Sequence, residues 1–211
     1  MMIYKAKHHF FLYPFFQLYS VWKIQNNFHR VHINSNFSDK GLPVLIVSNH
    51  ISWWDGFWVV YLNRKMFRRK YFFFMMLEEQ LKERIFLNKA GGYSVNKRSR
   101  SIIETIDYTV RLLDDNRNLV LMFPQGEINS LYNTRIHFEK GLEHILRKKH
   151  SPIHLVFLVN LIDFFSNQKP SLFMYLKEYQ GKETDTQSIE SEYNRFYNEA
   201  LEKNIKKAKE G

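Results

Sequence analysis

His50 and Asp55 are the first candidates for chemistry, in the string Asn49-His50-Ile51-Ser52-Trp53-Trp54-Asp55-Gly56. An imidazole titrates near neutrality and accepts a proton at working pH. A carboxylate beside it fixes its tautomer and stabilises the imidazolium once formed. The pair directly follows the apolar run Pro43-Val44-Leu45-Ile46-Val47. It therefore falls where a buried strand ends, and ligand sites of α/β sheets lie at carboxyl ends of strands. The chain has no Cys, and no Ser lies in a Gly-x-Ser-x-Gly elbow. The chemistry expected is activation of a substrate hydroxyl rather than a covalent enzyme intermediate.

Spacing alone is weak support. Nine His and seven Asp in this chain give roughly 0.3 chance matches to His-x4-Asp. Asp55 also has a structural use. With Ser52 as N-cap, it would complete a variant capping box at a helix start.

Two further constellations accompany the pair. Val120-Leu121-Met122-Phe123-Pro124-Gln125-Gly126-Glu127 reads as a strand running into a Pro-Gly turn, where backbone N–H groups can face a ligand. An ordinary strand-ending turn has the same composition. Ala90-Gly91-Gly92-Tyr93-Ser94-Val95-Asn96-Lys97-Arg98-Ser99-Arg100 places two glycines before three cations. It is read as an anion-binding loop or as a solvated one.

The elements that must position these groups alternate between short apolar runs and helical patterns, which predicts a single α/β domain. Strands are predicted at Val44–Ser48, Tyr71–Met76, Leu119–Phe123, Ile153–Asn160 and Leu172–Leu176. Helices are predicted at Trp53–Asn63, Leu77–Leu87, Arg100–Asp114, Phe138–Lys149 and Ser188–Ala208. The sheet is expected to be mixed, mostly parallel, and flanked by helices. Phe72, Phe73, Phe74 and Met75 are read either as a buried core strand or as the lining of an apolar tunnel.

Residues 1–30 form a separate aromatic and basic segment, ahead of a catalytic domain at 31–211. Its stretch from His9 to Trp22 lacks a cleavage site and is interrupted by Pro14, so it is not a signal peptide. It is read either as a helix in the lipid interface or as a helix packed on the body. No run of eighteen apolar residues occurs, and no ordinary transmembrane helix is expected. The net charge of +10 and pI near 9.6 fit nucleic acid, an anionic lipid surface or an anionic substrate. The basic stretch Arg64–Lys70 fits lipid headgroups. It lacks the signatures of a nucleic-acid binder, and no such partner is expected.

Taken in order, the motifs resemble those of the glycerolipid acyltransferase family, of the lysophosphatidic acid acyltransferase type. The Asn-His-x4-Asp block is intact from Asn49 to Asp55. The Gly-rich block runs from Gly91 to Lys97, with Lys97 in place of the usual Arg. The Phe-Pro-Glu-Gly-Thr-Arg block runs from Phe123, and Phe138-Glu139-Lys140-Gly141 resembles a following Phe-x-Lys-Gly segment. Ser151-Pro152-Ile153-His154-Leu155-Val156 matches the Pro-Val strand poorly. The resemblance spans about residues 40 to 160.

The resemblance implies acyl transfer from acyl-CoA or acyl-carrier protein to a lysolipid hydroxyl, first of all that of 1-acylglycerol-3-phosphate. His50 is the general base and Asp55 its orienter. Asn49, Ser52, Lys97, Arg98, Pro124, Gln125, Gly126 and Glu127 are the expected substrate-binding residues. No metal or bound cofactor is expected, and the enzyme would be peripheral on the cytoplasmic face of a membrane. The third block departs from the pattern. Gln125 replaces Glu, Glu127 replaces Thr, and Ile128 and Asn129 follow where Arg is missing. A carboxylate there repels phosphate. Either Lys97, Arg98, Arg100 or Arg135 supplies the missing charge, or the acceptor is another lysolipid or hydroxylated lipid. A non-catalytic lipid-binding protein on the same fold is the remaining alternative.

Overall fold

Both faces of one sheet are sealed by helices, because its central strands are apolar at all but their end positions. β2 (Val44–Ser48) and β5 (Asn118–Met122) are buried throughout, as strands covered on both faces must be. The computed structural model describes residues 3–97 and 99–207. Arg98, an expected substrate contact, and Ala208, the expected end of the last helix, lie outside the described residues.

The strands are β1 (Val31–Ser35), β2, β3 (Tyr71–Leu77), β4 (Gly92–Val95), β5, β6 (His154–Asp163) and β7 (Ser171–Glu178). Their order across the sheet is β1-β7-β6-β2-β5-β3-β4. From β6 to β4 all neighbours are parallel. β6 and β7 pair antiparallel, and β1 runs parallel to β7. The expected mixed, mostly parallel sheet is the one observed.

Pleating splits the core in two. Leu45, Val47, Phe73, Val120 and Phe157 pack under α4 (Ser101–Leu112), α5 (Gly141–Lys148) and α6 (Thr186–Lys207). Val44, Ile46, Phe72, Leu119 and Val156 pack under α1 (Leu12–Asn27) and α2 (Asp55–Leu62). Two strands were not foreseen. β4 starts with Gly92 and lies in what reads as an anion loop; β1 is a partly exposed edge strand carrying His and Asn. The helix expected over Leu77–Leu87 is two pieces, α3 (Glu78–Glu83) and a 3-10 turn at Ile85–Ala90.

The N-terminal segment is stitched to the body. Ser94 N–H donates to Tyr4 O at 3.0 Å, Lys7 N–H to Asn88 O at 2.9 Å and His9 N–H to Lys89 O at 3.0 Å. These bonds lay residues 4–9 along β4 and the 3-10 turn as a strap. α1 then packs on α2 through Phe16 and Tyr19 against Phe57. Its other side leaves Phe11, Phe15, Leu18 and Trp22 exposed, at helical spacing along one face. The reading as a helix packed on the body describes its inner side, and its outer side is apolar and exposed. Among the described residues no helix is long and apolar enough to cross a membrane.

The basic stretch is less free than its composition suggests. α2 continues as a π turn over Asn63–Phe67, and Arg68 ends it in the left-handed region at φ 54°. The Arg69 guanidinium turns inward onto both oxygens of Asp39, each at 2.7 Å, and onto Leu42 O.

Candidate active site

At the end of β2 the backbone must leave the sheet without stranding its neighbour. Asn49 solves this with its side chain. Its Nδ2 donates to Asn160 O at 2.9 Å, and its Oδ1 accepts Asn160 N–H at 2.8 Å. The carboxamide thus continues the β2–β6 ladder beyond Ser48, freeing the Asn49 backbone to turn. Asn49 is fully buried, and its amide is engaged with β6 rather than with open space.

The turn delivers His50 to Asp55. His50 Nδ1 lies 2.9 Å from Asp55 Oδ2, which also accepts Ile51 N–H at 2.7 Å and Ser52 N–H at 3.0 Å. Ser52 Oγ accepts Trp54 N–H at 3.1 Å. Asp55, the first residue of α2, therefore ties back the preceding Ile51–Ser52 turn and holds the imidazole with the same oxygen. Of the expected capping box only the Ser52 N–H to Asp55 bond is present, since Ser52 Oγ takes the Trp54 N–H and α2 starts from Trp54 without a side-chain cap. Facing a carboxylate, Nδ1 carries the proton, which leaves the Nε2 lone pair free. The Asp55 side chain is 0% exposed and that of His50 19%. Burial pushes the Asp55 carboxyl upward, against the pull of the three N–H donors. Its Oδ1 is buried with no hydrogen-bond partner. From the other side Phe123 stacks on the imidazole, centroids 3.9 Å apart and planes 10° apart.

His50 opens into a cavity of about 640 Å³ that wraps the carboxyl ends of β3, β4 and β5. Its deep wall is apolar: Phe57, Phe72, Phe74, Met75, Leu87 and Ile106, with α1 closing it through Tyr13 and Phe16. Phe73 is not part of this wall; it packs in the core under α4, α5 and α6. At the mouth lie Lys97, Gly126, Glu127, Ile128, Glu139, Lys140 and His144. Lys97 Nζ pairs with Glu139 Oε1 at 3.0 Å. Gly126 has φ 70°, which favours glycine for its conformation, and a Cβ there would displace the flexible end of Lys97.

Beside His50, four of the expected substrate contacts line the cavity: Lys97, Pro124, Gly126 and Glu127. Asn49, Ser52 and Gln125 lie behind it and hold the His50 turn. The Gly126 N–H, an expected anion donor, is bound to Phe123 O at 3.1 Å. Gly91 does not cradle an anion: it has φ 109° and its missing Cβ lets Phe72 O approach. Arg135 pairs with Glu190 at 3.6 Å, away from the cavity wall. Lys140 and His144 also stand at the mouth; the motifs did not single them out, although Lys140 stands in the quoted Phe-x-Lys-Gly segment. Phe123 and Asn129 were also missed; a stacking face and a backbone bond leave no mark in sequence spacing.

Comparison with known proteins bears on this geometry. The family model described as Acyltransferase matches residues 28–158, more than half of the chain. Among solved structures, the chain is similar to the 1-acyl-sn-glycerophosphate (LPA) acyltransferase PlsC from Thermotoga maritima. The TM-score is 0.56 at 14% identity, over 88% of this chain and 78% of that one. No curated protein matches.

Proposed function

Because the chain belongs to the acyltransferase family, we propose that it moves a fatty acyl group from acyl-CoA or acyl-carrier protein to the hydroxyl of a lysolipid. The observation that carries this reading is the 2.9 Å His50–Asp55 contact at the wall of an apolar cavity. His50 Nε2 takes the acceptor hydroxyl proton as the oxygen attacks the thioester carbonyl. The tetrahedral oxyanion collapses, the C–S bond breaks, and the thiolate leaves with the proton from the imidazolium. The products are an ester and a free thiol. Asp55 balances the imidazolium charge while it exists. Apolar walls suit an acyl chain and strengthen electrostatics at the reacting centre.

1-Acylglycerol-3-phosphate is the first acceptor, with Lys97 and Lys140 at the mouth to meet its phosphate. A specific observation favours a second reading, an acceptor without a phosphate monoester. Lys97 is already paired with Glu139, and Glu127 and Ile128 stand beside it. The chain would work peripherally, on the cytoplasmic face of a membrane. Phe11, Phe15, Leu18 and Trp22 would enter the interface, with anionic headgroups meeting the positive charge.

The test uses purified protein, a long-chain acyl-CoA or acyl-carrier protein, and a panel of lysolipids with and without phosphate. Acceptor-dependent thiol release and a new ester by mass spectrometry are expected, and both vanish in His50→Ala. No ester from any acceptor, or full turnover in His50→Ala, overturns the assignment. Flotation with anionic vesicles, reduced in Phe15→Asp/Trp22→Asp, tests the membrane reading; unchanged flotation sinks it.

A further inference from the structure

His50 is gripped twice, and only one grip is on its ring. The second acts on its backbone and comes from the turn after β5. Gln125 Oε1 accepts the His50 N–H at 2.7 Å. The Asn129 N–H donates to His50 O at 2.8 Å. Gln125 Nε2 donates to Asn129 Oδ1 at 2.7 Å, closing the ring of bonds. Asn129 Nδ2 reaches Glu127 Oε1 at 3.3 Å, tying the ring to the mouth. Gln125 is buried, so its carboxamide has no water to fall back on. Breaking either bond would strand a buried polar group.

We propose that Gln125 and Asn129 are positioning residues that clamp the peptide of the base. Asp55 fixes the direction of the ring, and the clamp fixes the Cα from which the ring projects. Two carboxamides make this grip indifferent to pH, since neither titrates. The clamp also couples two turns at adjacent strand ends, so the base and the mouth move as one piece. This explains why Gln125 faces away from the cavity although its neighbours Pro124 and Gly126 line it. The catalytic part of this inference rests on the acyl-transfer reading above.

Both residues are substituted, Gln125→Leu and Asn129→Ala, singly and together, and steady-state kinetics are compared with imidazole ¹⁵N spectra. Misplacing a base by about 1 Å costs on the order of 10²-fold. The expected loss is about that size in kcat for Gln125→Leu and about tenfold for Asn129→Ala, with KM for the acceptor unchanged. The double variant should be no worse than Gln125→Leu, because Asn129 acts through Gln125. Gln125→Glu keeps an acceptor for the His50 N–H but loses the donor to Asn129, so its rate should recover to about that of Asn129→Ala. In the spectra the His50 signals of Asn129→Ala should shift or broaden as the ring's Cα, and with it the Nδ1–Asp55 bond, loses its fixed position.

A rise in acceptor KM at constant kcat, with unmoved His50 signals, would make these residues substrate contacts and overturn the clamp. Additive losses in the double variant would do the same. If Gln125→Leu does not fold, Asn129→Ala decides alone through kcat and spectrum. If wild type transfers no acyl group but the Asn129→Ala spectrum moves, acyl transfer fails and the clamp stands.

Discussion

The same pair of strands carries a histidine at each end, and only one of them is equipped as a base. His50 follows the end of β2. His154 opens β6 and is paired in register with Val44 at the start of β2. Both have carboxylates nearby. Asp39 Oδ1 and Glu178 Oε1 lie 3.7 and 3.5 Å from the two nitrogens of His154. Yet neither nitrogen has a hydrogen-bond partner, and the ring is 0% exposed. The carboxylates are committed elsewhere, Asp39 to Arg69 and Glu178 to Lys40. Phe37 meets the ring edge-on at 5.0 Å. Desolvation pulls the His154 pKa below the usual imidazole range, against the pull of the two carboxylates. Proximity of His to carboxylate is thus common to both ends. An aimed hydrogen bond and an open cavity are found at one.

Exchanging the treatment of the two histidines gives the widest contrast. His50→Ala should lower acyl transfer by about 10² to 10⁴-fold with little change in thermal midpoint. His154→Leu should leave the rate unchanged. A rate loss in His154→Leu equal to that in His50→Ala would erase the distinction. Asp55→Asn comes next. Its amide no longer balances the imidazolium, and a loss of about 10²-fold in kcat is expected. The comparison would break if this variant kept its rate, since the hydrogen bond would then be ornamental at both ends.

The smallest effect is on stability. A His whose folded pKa is depressed is held neutral by the fold. The unfolded chain takes up its proton first as pH falls through about 6.5. Stability from this site is therefore complete above that pH and declines below it. Denaturant titrations between pH 7.5 and 5.5 should show wild type losing more stability than His154→Leu. The difference in slope is at most about 1.4 kcal/mol per pH unit for one proton. Parallel slopes would mean that His154 titrates alike folded and unfolded.

What could be read in advance follows the strength of burial. Val44–Ser48 was legible to the residue, because burial on both faces leaves an uninterrupted apolar run. β4 was not, because Gly92 and Ser94 are chosen there for close approach and for bonds to the N-terminal strap. At the site, His50 and Asp55 were visible by type and order. The work of Asn49, Gln125 and Asn129 was not: an amide that mimics a strand has the same letter as one that binds a substrate. Phe72 to Met75 shows the same limit. The two expectations overlap in that run: Phe73 is core, Phe74 and Met75 line the cavity, and Phe72 does both.

The strap from Tyr4 to His9 has one more consequence. β4 is the last strand of the sheet on its side, and an unpaired edge invites another chain to join it. By occupying Ser94 and the neighbouring turn, the strap acts as a guard against self-association. Deleting it to remove α1 would trade a lipid-binding question for an aggregation problem. Surface substitutions on α1 keep that edge closed while changing what its outer side offers a bilayer.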